Sequence, residues 1–287
     1  MLILDVETLP SYFLVYFKEL ETGKLKYFEL FPGHPLDKGL QGVMERNTTI
    51  SFNGLSYDLP MIVAALQGWD NEHLKKFNDK IIKSNLPSWS ICKKNDIFIP
   101  DNFDHIDLIE VSPGIASLKL YGCRLGAPKV QDLPIGPDDI ITEDMHETIR
   151  SYCLNDLDTT ELLFNTLRPQ IDLRVSMSEQ YGMDLRSKSD AQIAETVIKS
   201  ELHKITGREY KKPKLKDGTT IRYQNPKIVS FQSDDLQEVF ENILAHSFEL
   251  EAKIKMPPWL KGAKIKIGTA EYQMGIGGMH SCESSQF

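Results

Sequence analysis

An apolar run that leads directly into two acidic residues is the feature of this sequence that most constrains its fold. Residues 2–4 (Leu-Ile-Leu) predict a buried β-strand, and Asp5 and Glu7 follow at once. Side chains alternate between the two faces of a strand, so these two carboxylates share one face. Acids on a buried face are costly unless a cation neutralises them. Either the strand has already ended and both acids are solvated, or the strand leads into a cation-binding site.

Two further segments contain an acid at a position where the local pattern predicts a helix cap or an apolar residue. Asp58 closes the segment Asn-Gly-Leu-Ser-Tyr-Asp, where a helix is predicted to begin, and capping of that helix would by itself explain an acid. Tyr152 and Asp156 lie four residues apart, and therefore on one face, of a helix predicted over Glu143–Leu167. That face is otherwise apolar, so Asp156 interrupts a surface that should be buried. Four acids converging on one site would require hard divalent cations such as Mg²⁺ or Mn²⁺, which prefer oxygen ligands.

The order of the predicted elements indicates an α/β domain followed by a smaller α+β segment. A strand meander over residues 1–31 comes first, and helices then alternate with strands up to about residue 175. Beyond it the pattern changes to separate helices, short strands and a basic segment, in which Asp217-Gly218 is typical of a two-residue hairpin turn. We therefore predict one domain at 1–175 and a second at 176–287.

Composition and charge narrow the function classes only slightly. The chain of 287 residues has a net charge of −8, which argues against a protein that coats nucleic acid, yet residues 203–227 carry eight basic and two acidic side chains. That segment is either a solvated hairpin or a contact for a phosphate backbone. No apolar run approaches the ~20 residues of a membrane span, and the four cysteines form no CxxC pair. We therefore expect no membrane contact and a reducing, cytoplasmic setting.

The three acid-bearing segments resemble the Exo I (DxE), Exo II (Nx₃[FY]D) and Exo III (Yx₃D) motifs of the DEDD superfamily of 3′–5′ exonucleases, in its tyrosine (DEDDy) branch. The motifs occur in the family's order and cover residues 1 to about 170. The resemblance implies an RNase H-like α/β fold, in which a mixed sheet is flanked by helices. It also implies that Tyr152 positions the attacking water and that two divalent metal ions, Mg²⁺ or Mn²⁺, are held by Asp5, Glu7, Asp58 and Asp156.

Four further residues are candidates for binding the substrate. The resemblance assigns Thr8 and Leu9, next to the first acids, to the terminal nucleotide. Asn53 and Tyr57 in the second motif are candidates for contacting a frayed single strand, by hydrogen bonding and by base stacking respectively. A structural role is the alternative for both residues, because an Asn-Gly pair often makes a turn.

A glycine-rich segment near the end of the sequence points toward a polymerase. Residues 272–281 resemble the YxGG-type region that lies between the exonuclease and polymerase domains of bacteriophage family B DNA polymerases, with a plain Gly-rich turn as the alternative. The segment 176–287 would then be a linker, and a polymerase domain or subunit is an expected partner. The 287 residues contain no DxxSLYP-like palm motif, so polymerase activity is not expected from this chain.

Together these patterns predict a metal-dependent 3′–5′ exonuclease that hydrolyses single-stranded DNA, or a frayed 3′ primer end, to nucleoside 5′-monophosphates. The expected setting is the proofreading part of a phage-type DNA polymerase, in the cytoplasm of a bacterial host. Two alternatives remain open: a stand-alone exoribonuclease with the same acids, and a catalytically idle nucleic-acid-binding module that uses the fold as a scaffold.

Overall fold

The computed structural model describes residues 1–211, 216, 218–225, 227–249, 256–275 and 278–282. The chain divides into two compact units, Met1–Glu209 and Tyr210–Phe287. The first unit contains a five-stranded sheet with helices, and the second contains shorter strands. These features confirm the predicted α/β class, with a mixed sheet flanked by helices and a smaller segment after it.

The sheet of the first unit is mixed, and its first strand lies at the centre. An antiparallel meander of three strands is followed by two strands that run parallel to the first: β1 Leu2–Leu9, β2 Tyr12–Glu19, β3 Leu25–Leu30, β4 Thr49–Ser51 and β5 His105–Asp107. Their spatial order is β3-β2-β1-β4-β5. Because β1, β4 and β5 are parallel, their carboxyl ends meet at one edge of the sheet, where open α/β sheets bind ligands.

Helices cover both faces of this sheet. The first unit contains eight: α1 Gly39–Arg46, α2 Asp58–Leu66, α3 Asn71–Lys83, α4 Ser88–Lys94, α5 Leu118–Leu125, α6 His146–Thr166, α7 Arg168–Tyr181 and α8 Asp190–Thr206. One apolar cluster joins the sheet to α1–α4, and a second joins it to α5–α7. β1 contributes Leu4 and Val6 to the first cluster but Ile3 and Leu9 to the second, so this strand is covered on both faces.

Some elements differ from those that the sequence predicts. β1 continues to Leu9 because its pairing with β2 runs unbroken past both acids, so these acids do not follow a strand that has already ended. The alternation of apolar and polar residues over 103–111 predicts a longer strand than β5, which covers only three of these residues. α1 and α4 were not predicted. They are eight and seven residues long, which is too short for a clear helical repeat in the sequence.

The first unit extends beyond the predicted boundary at residue 175. α7 runs through this position without a break and is bonded to the chain that follows it. Arg174 is buried, and it donates hydrogen bonds to the carbonyl oxygen of Lys188 at 3.0 Å and to Asp190 Oδ1 at 2.6 Å. α8, which begins at Asp190, therefore belongs to the first unit, and the division falls after Glu209.

The second unit consists, in its described part, of short strands and two helices. Its elements are β6 Thr220–Ile221, α9 Asp234–Ala245, β7 Phe248–Glu249, α10 Pro258–Lys261, β8 Lys264–Ile267, β9 Ala270–Gly275 and β10 Gly278–Ser281. β6 pairs with β7, and β8, β9 and β10 form an antiparallel sheet. None of the helices described in either unit combines the length and the apolar character that crossing a lipid bilayer requires.

Two predictions concern segments that the structure describes only in part. The first strand and turn of the predicted basic hairpin fall largely on residues 212–215 and 217, which lie outside the described residues. Thr220–Ile221, from its predicted second strand, pairs with Phe248–Glu249. The glycine-rich segment forms a strand pair in which Gly275 lies opposite Gly278, and the two residues between them lie outside the described part.

Candidate active site

β1 brings Asp5 and Glu7 to the face of the sheet that α6 covers. Both follow Ile3 at intervals of two residues, and Ile3 packs in the apolar cluster that contains α6. Their side chains are partly buried. The two residues pair with Tyr16 and Leu14 of β2, so the central strand determines where each carboxylate lies.

α6 contributes three side chains next to these acids. Tyr152 is 7% exposed, Cys153 is fully buried, and Asp156 is partly exposed. The Cys153 thiol donates a hydrogen bond to Asp5 Oδ2 at 3.2 Å, and ligand atoms of Asp5, Glu7 and Cys153 all lie within 4.8 Å of one another. Tyr152 and Asp156 interact across one turn of the helix, as their spacing predicts. The first and third predicted motifs are therefore brought together.

Asp58 comes from the edge of the sheet at which the parallel strands end. β4 ends at Ser51, a loop follows over residues 52–57, and Asp58 opens α2. Tyr57 occupies the N-cap position, so capping does not account for this acid. The Asp58 side chain is 3% exposed, and its charge acts on both Asp5 and Glu7. The second motif therefore reaches the same site.

The acids raise one another's pKa values. Burial, and then the charges of Glu7, Asp58 and Asp156, raise the pKa of Asp5 well above its usual range. Burial, and then the charges of Asp156 and Asp58, raise the pKa of Glu7 to about 8. Burial raises the pKa of Asp58 to about 7, although a hydrogen bond from Ser51 opposes the shift. Burial also raises the pKa of Asp156.

Lys119 is a cation of this site to which the sequence patterns assign no role. Its Nζ lies 5.6 Å from the centre of the Tyr152 ring, and it forms an ion pair with Asp132 at 2.6 Å. Its charge lowers the pKa values of Glu7 and Asp156 without cancelling the effect of burial. The site therefore keeps an excess of carboxylates over cations among the described side chains.

The Tyr152 hydroxyl group is held in its protonated form. Burial, and then the charge of Asp156, raise the pKa of Tyr152 above its usual value of 10.0. The phenol can therefore donate a hydrogen bond at neutral pH, but it is a poor acceptor of a proton from water.

Asp107, at the end of β5, is a buried acid that the sequence patterns did not single out. It is 1% exposed, and its carboxylate accepts backbone hydrogen bonds from Asn53 at 2.8 Å, Leu55 at 2.9 Å and Ile109 at 3.0 Å. The first two bonds hold the loop that leads to Asp58. The predicted strand around it contains other acids, so no local pattern separates this one from them.

The Asn53-Gly54 pair makes the turn that begins this loop. Asn53 has a φ of +69°, and its carbonyl oxygen accepts a hydrogen bond from the Tyr57 N–H at 3.1 Å. A Cβ atom on Gly54 would lie 1.9 Å from Ser51 Oγ and 2.7 Å from His105 Nε2, so a larger residue does not fit. The structural role considered for Asn53 is present, and its side chain stays partly exposed.

The other predicted substrate-binding residues occupy different environments. Thr8 is 8% exposed, and its Oγ1 is the one buried side-chain polar atom, among the described residues, without a hydrogen-bond partner. The Tyr57 phenol lies near Thr8 and donates a hydrogen bond to Asn78 Oδ1 at 2.7 Å. Leu9 is 2% exposed and packs in the apolar cluster of α6, so its side chain presents little surface to a ligand.

The arrangement is chemically suited to hold divalent cations. Cations bound among the four carboxylates would offset both their repulsion and the cost of burying their charges. The donor atoms are hard carboxylate oxygens, apart from the Cys153 thiol, and this set suits Mg²⁺ or Mn²⁺.

Comparisons with known proteins identify no relative of this chain. No family model matches the sequence, and neither the curated proteins nor the solved structures contain a match.

Proposed function

We propose that this chain is a metal-dependent 3′–5′ exonuclease, which hydrolyses single-stranded DNA from its 3′ end to nucleoside 5′-monophosphates. The observation that carries the proposal is the convergence of four carboxylates from three separate elements, with a tyrosine one helical turn from the last acid. A folded scaffold gains nothing from this repulsion, whereas phosphodiester hydrolysis by two metals requires such ligands.

The acids Asp5, Glu7, Asp58 and Asp156 would hold two divalent ions, Mg²⁺ or Mn²⁺. Their raised pKa values support this fit, because each carboxylate lacks a positive charge strong enough to stabilise its ionised form. When bound, such ions lower the pKa of water and neutralise negative charge on a phosphate group. These side chains would hold the ions, and they are themselves held by the central strand and by the helices α2 and α6.

Tyr152 would orient the attacking water. Burial and the charge of Asp156 raise the pKa of the phenol and keep it protonated. It would therefore donate a hydrogen bond to the water rather than accept its proton. Lys119, beside the Tyr152 ring, would supply a positive charge near the reacting phosphate. Removing the phenolic oxygen should therefore affect the hydrolytic step and leave the binding of metal largely intact.

Thr8 would contact the terminal nucleotide, and Asn53 and Tyr57 would contact the frayed single strand. The unpartnered Thr8 hydroxyl group supports this role, because a buried polar atom gains most from a hydrogen bond that a ligand supplies. Tyr57 is half-buried, and its phenol is already bonded to Asn78, so its ring rather than its hydroxyl group is the part available to a base. Leu9 would contribute by packing in the apolar cluster that supports β1 and its acids.

We further propose that the chain is the proofreading part of a phage-type DNA polymerase. The basic segment 203–227 supports a nucleic-acid contact beyond the acid site, because each of its six described Lys and Arg side chains is exposed: Lys204, Arg208, Lys211, Lys216, Arg222 and Lys227. A polymerase domain or subunit would be the partner that delivers a frayed 3′ end.

The test uses 5′-labelled single strands of DNA and of RNA, incubated with Mg²⁺, Mn²⁺ or EDTA. The proposal expects a metal-dependent ladder that shortens from the 3′ end of DNA and is absent with Asp5→Ala or Asp156→Ala. Asp158→Ala, on the same helix but with an exposed side chain, is the matched control. Preferential cleavage of RNA would favour the exoribonuclease, and metal-independent binding without any product would favour the idle module.

A further inference from the structure

An apolar groove lies beside the loop that carries Asp58. It has a volume of about 530 Å³ and is lined by the loop residues Leu55 and Ser56 and by α4 with the segment that follows it. Trp89, Lys93 and Phe98 are among its lining residues. None of these three side chains belongs to a motif that the sequence patterns single out.

The aromatic side chains of this groove are unusually exposed. Trp89 is 71% exposed and Phe98 is 62% exposed, the two highest values among aromatic residues in the described part of the chain. Leu55 is also exposed, so the apolar surface is continuous across the groove. Contiguous exposed apolar surface of this kind marks a binding site more often than isolated apolar side chains do.

The groove is joined to the acid site through the loop. The Ser88 hydroxyl group, at the start of α4, donates a hydrogen bond to the carbonyl oxygen of Ser56. Leu55 is held by Asp107, and it precedes Asp58 by three residues, a reach of at most about 11 Å along the chain. A strand whose 3′ end lay among the acids would therefore pass close to the groove.

Positive charge accompanies the aromatic surface. Residues 80–94 contain four lysines and no acid, and Lys93 lines the groove. Lys93 and Lys94 are exposed, and neither forms an ion pair with a described residue. Exposed rings next to unpaired cations form the surface that single-stranded nucleic acids use, with bases stacking on the rings and phosphates near the cations.

We propose that this groove binds the single strand upstream of its 3′ end, with bases stacked on Trp89 and Phe98 and a phosphate near Lys93. The inference rests on the proposed function, because it places the strand that the acid site would cut. Stacking on two rings tolerates any base sequence, as a nuclease that trims arbitrary ends requires.

The experiment measures binding of a thymidylate dodecamer to the full chain in EDTA, with the Asp5→Ala variant as a second background in which no strand can be cut. Binding should quench tryptophan fluorescence, and Trp89→Phe should remove most of the quenching while keeping the affinity within about twofold. Trp89→Ala should weaken binding by about fivefold or more, the range expected when one base stack is removed. Ile198→Ala, an exposed apolar residue outside both the groove and the basic segment, is the matched control.

Trp89→Leu separates base stacking from general apolar docking. Leucine keeps apolar surface but offers no ring, so the proposal expects it to bind as weakly as Trp89→Ala. Lys93→Ala should make the negative slope of log affinity against log salt less steep by roughly 0.7, the value for one phosphate contact on a single strand. Unchanged affinity in Trp89→Ala, or full affinity in Trp89→Leu, would overturn the proposal.

Failure of this inference is distinguishable from failure of the proposed function. If metal-dependent cleavage of long and short strands is the same in wild type and Trp89→Ala, the groove proposal is wrong and the exonuclease proposal stands. If binding of single strands depends on Trp89 but no metal supports cleavage, the groove proposal stands and the exonuclease proposal is wrong.

Discussion

At the scale of single residues, the acid site is a set of charges that the fold itself does not neutralise. Asp5 lies on the central strand, hydrogen-bonded by the Cys153 thiol, with three other carboxylates acting on it. Asp5 and Glu7 follow from local alternation, which is why a pattern of a few residues predicts that they share a face. Cys153 could not be predicted as their neighbour, because it is not one of the acids or the tyrosine that define the motifs and lies 148 residues from Asp5 in the sequence.

Without metal, the stability of the protein should fall as the pH rises from about 4 to about 8. The pKa of Glu7 is raised to about 8 and that of Asp58 to about 7, above usual values of 4.5 and 3.8. These two acids therefore bind more protons in the folded state than in the unfolded state in this window, and the release of each proton costs stability, whereas buried His105, with its pKa lowered to about 4, acts in the opposite sense below about pH 6.5. Melting temperatures in EDTA should decline across the window, and saturating Mg²⁺ should remove the decline.

The matched variant for this measurement is Glu7→Gln. It removes one titrating acid from the cluster, so its melting temperature in EDTA should depend less on pH than that of the wild type. A wild-type melting temperature that stays constant or rises between about pH 5 and about pH 8 would contradict the electrostatic account.

Tyr152→Phe should slow hydrolysis severalfold or more while leaving the metal-induced rise in melting temperature unchanged. The variant keeps the buried ring and removes only the oxygen that would orient water. Single-turnover rates on labelled single strands measure the first effect, and melting with and without Mg²⁺ measures the second. Loss of the metal response together with activity would show that the phenol supports the acids rather than the water.

At the scale of elements, the site depends on one loop and on the strand end that holds it. Asp107 bonds the backbone of Asn53 across 54 residues of sequence, so no local pattern reveals it. The helix start at Asp58 could be predicted from the sequence, whereas the turn that positions it required the structure. α4 was also missed, because seven residues give too few turns for a periodic signal.

Asp107→Ala should destabilise the first unit by about 2–5 kcal/mol. Three backbone N–H groups in partly buried hydrogen bonds lose their acceptor, and the loop that leads to Asp58 loses its anchor. Asp107→Asn, which keeps one acceptor oxygen, should be less damaging. Asp101→Ala, an exposed acid nearby in sequence, is the control, and denaturant unfolding of the three variants supplies the comparison. Equal stability of Asp107→Ala and the control would refute the anchoring role.

At the scale of the whole molecule, the acid site lies entirely within the first compact unit. The α/β class could be predicted because strand and helix periods are local, and the order of elements limits how they pack. The predicted boundary at residue 175 differs from the division after Glu209, because no sequence pattern reveals the bonds of Arg174 to Lys188 and to Asp190 at the start of α8. The second unit carries most of the basic segment.

Charge reversal in that segment should weaken the binding of single strands. Lys216→Glu and Arg222→Glu change exposed side chains. Loss of each phosphate contact should make the negative slope of log affinity against log salt less steep by roughly 0.7. Lys261→Glu makes the same charge change on an exposed residue of the second unit outside the segment. Equal affinities and slopes for all three variants would mean that the segment is only solvated.

The most direct test of the acid site is a calorimetric titration of Mn²⁺ into the wild type and into Asp5→Ala, each with thymidine 5′-monophosphate present. The account predicts saturable binding of about two ions per wild-type chain, because four carboxylates and a nucleotide phosphate supply ligands for two. Asp5→Ala should lose at least one of these ions. Absence of saturable binding in the wild type, or identical titrations for the two proteins, would contradict the assignment of these carboxylates as metal ligands.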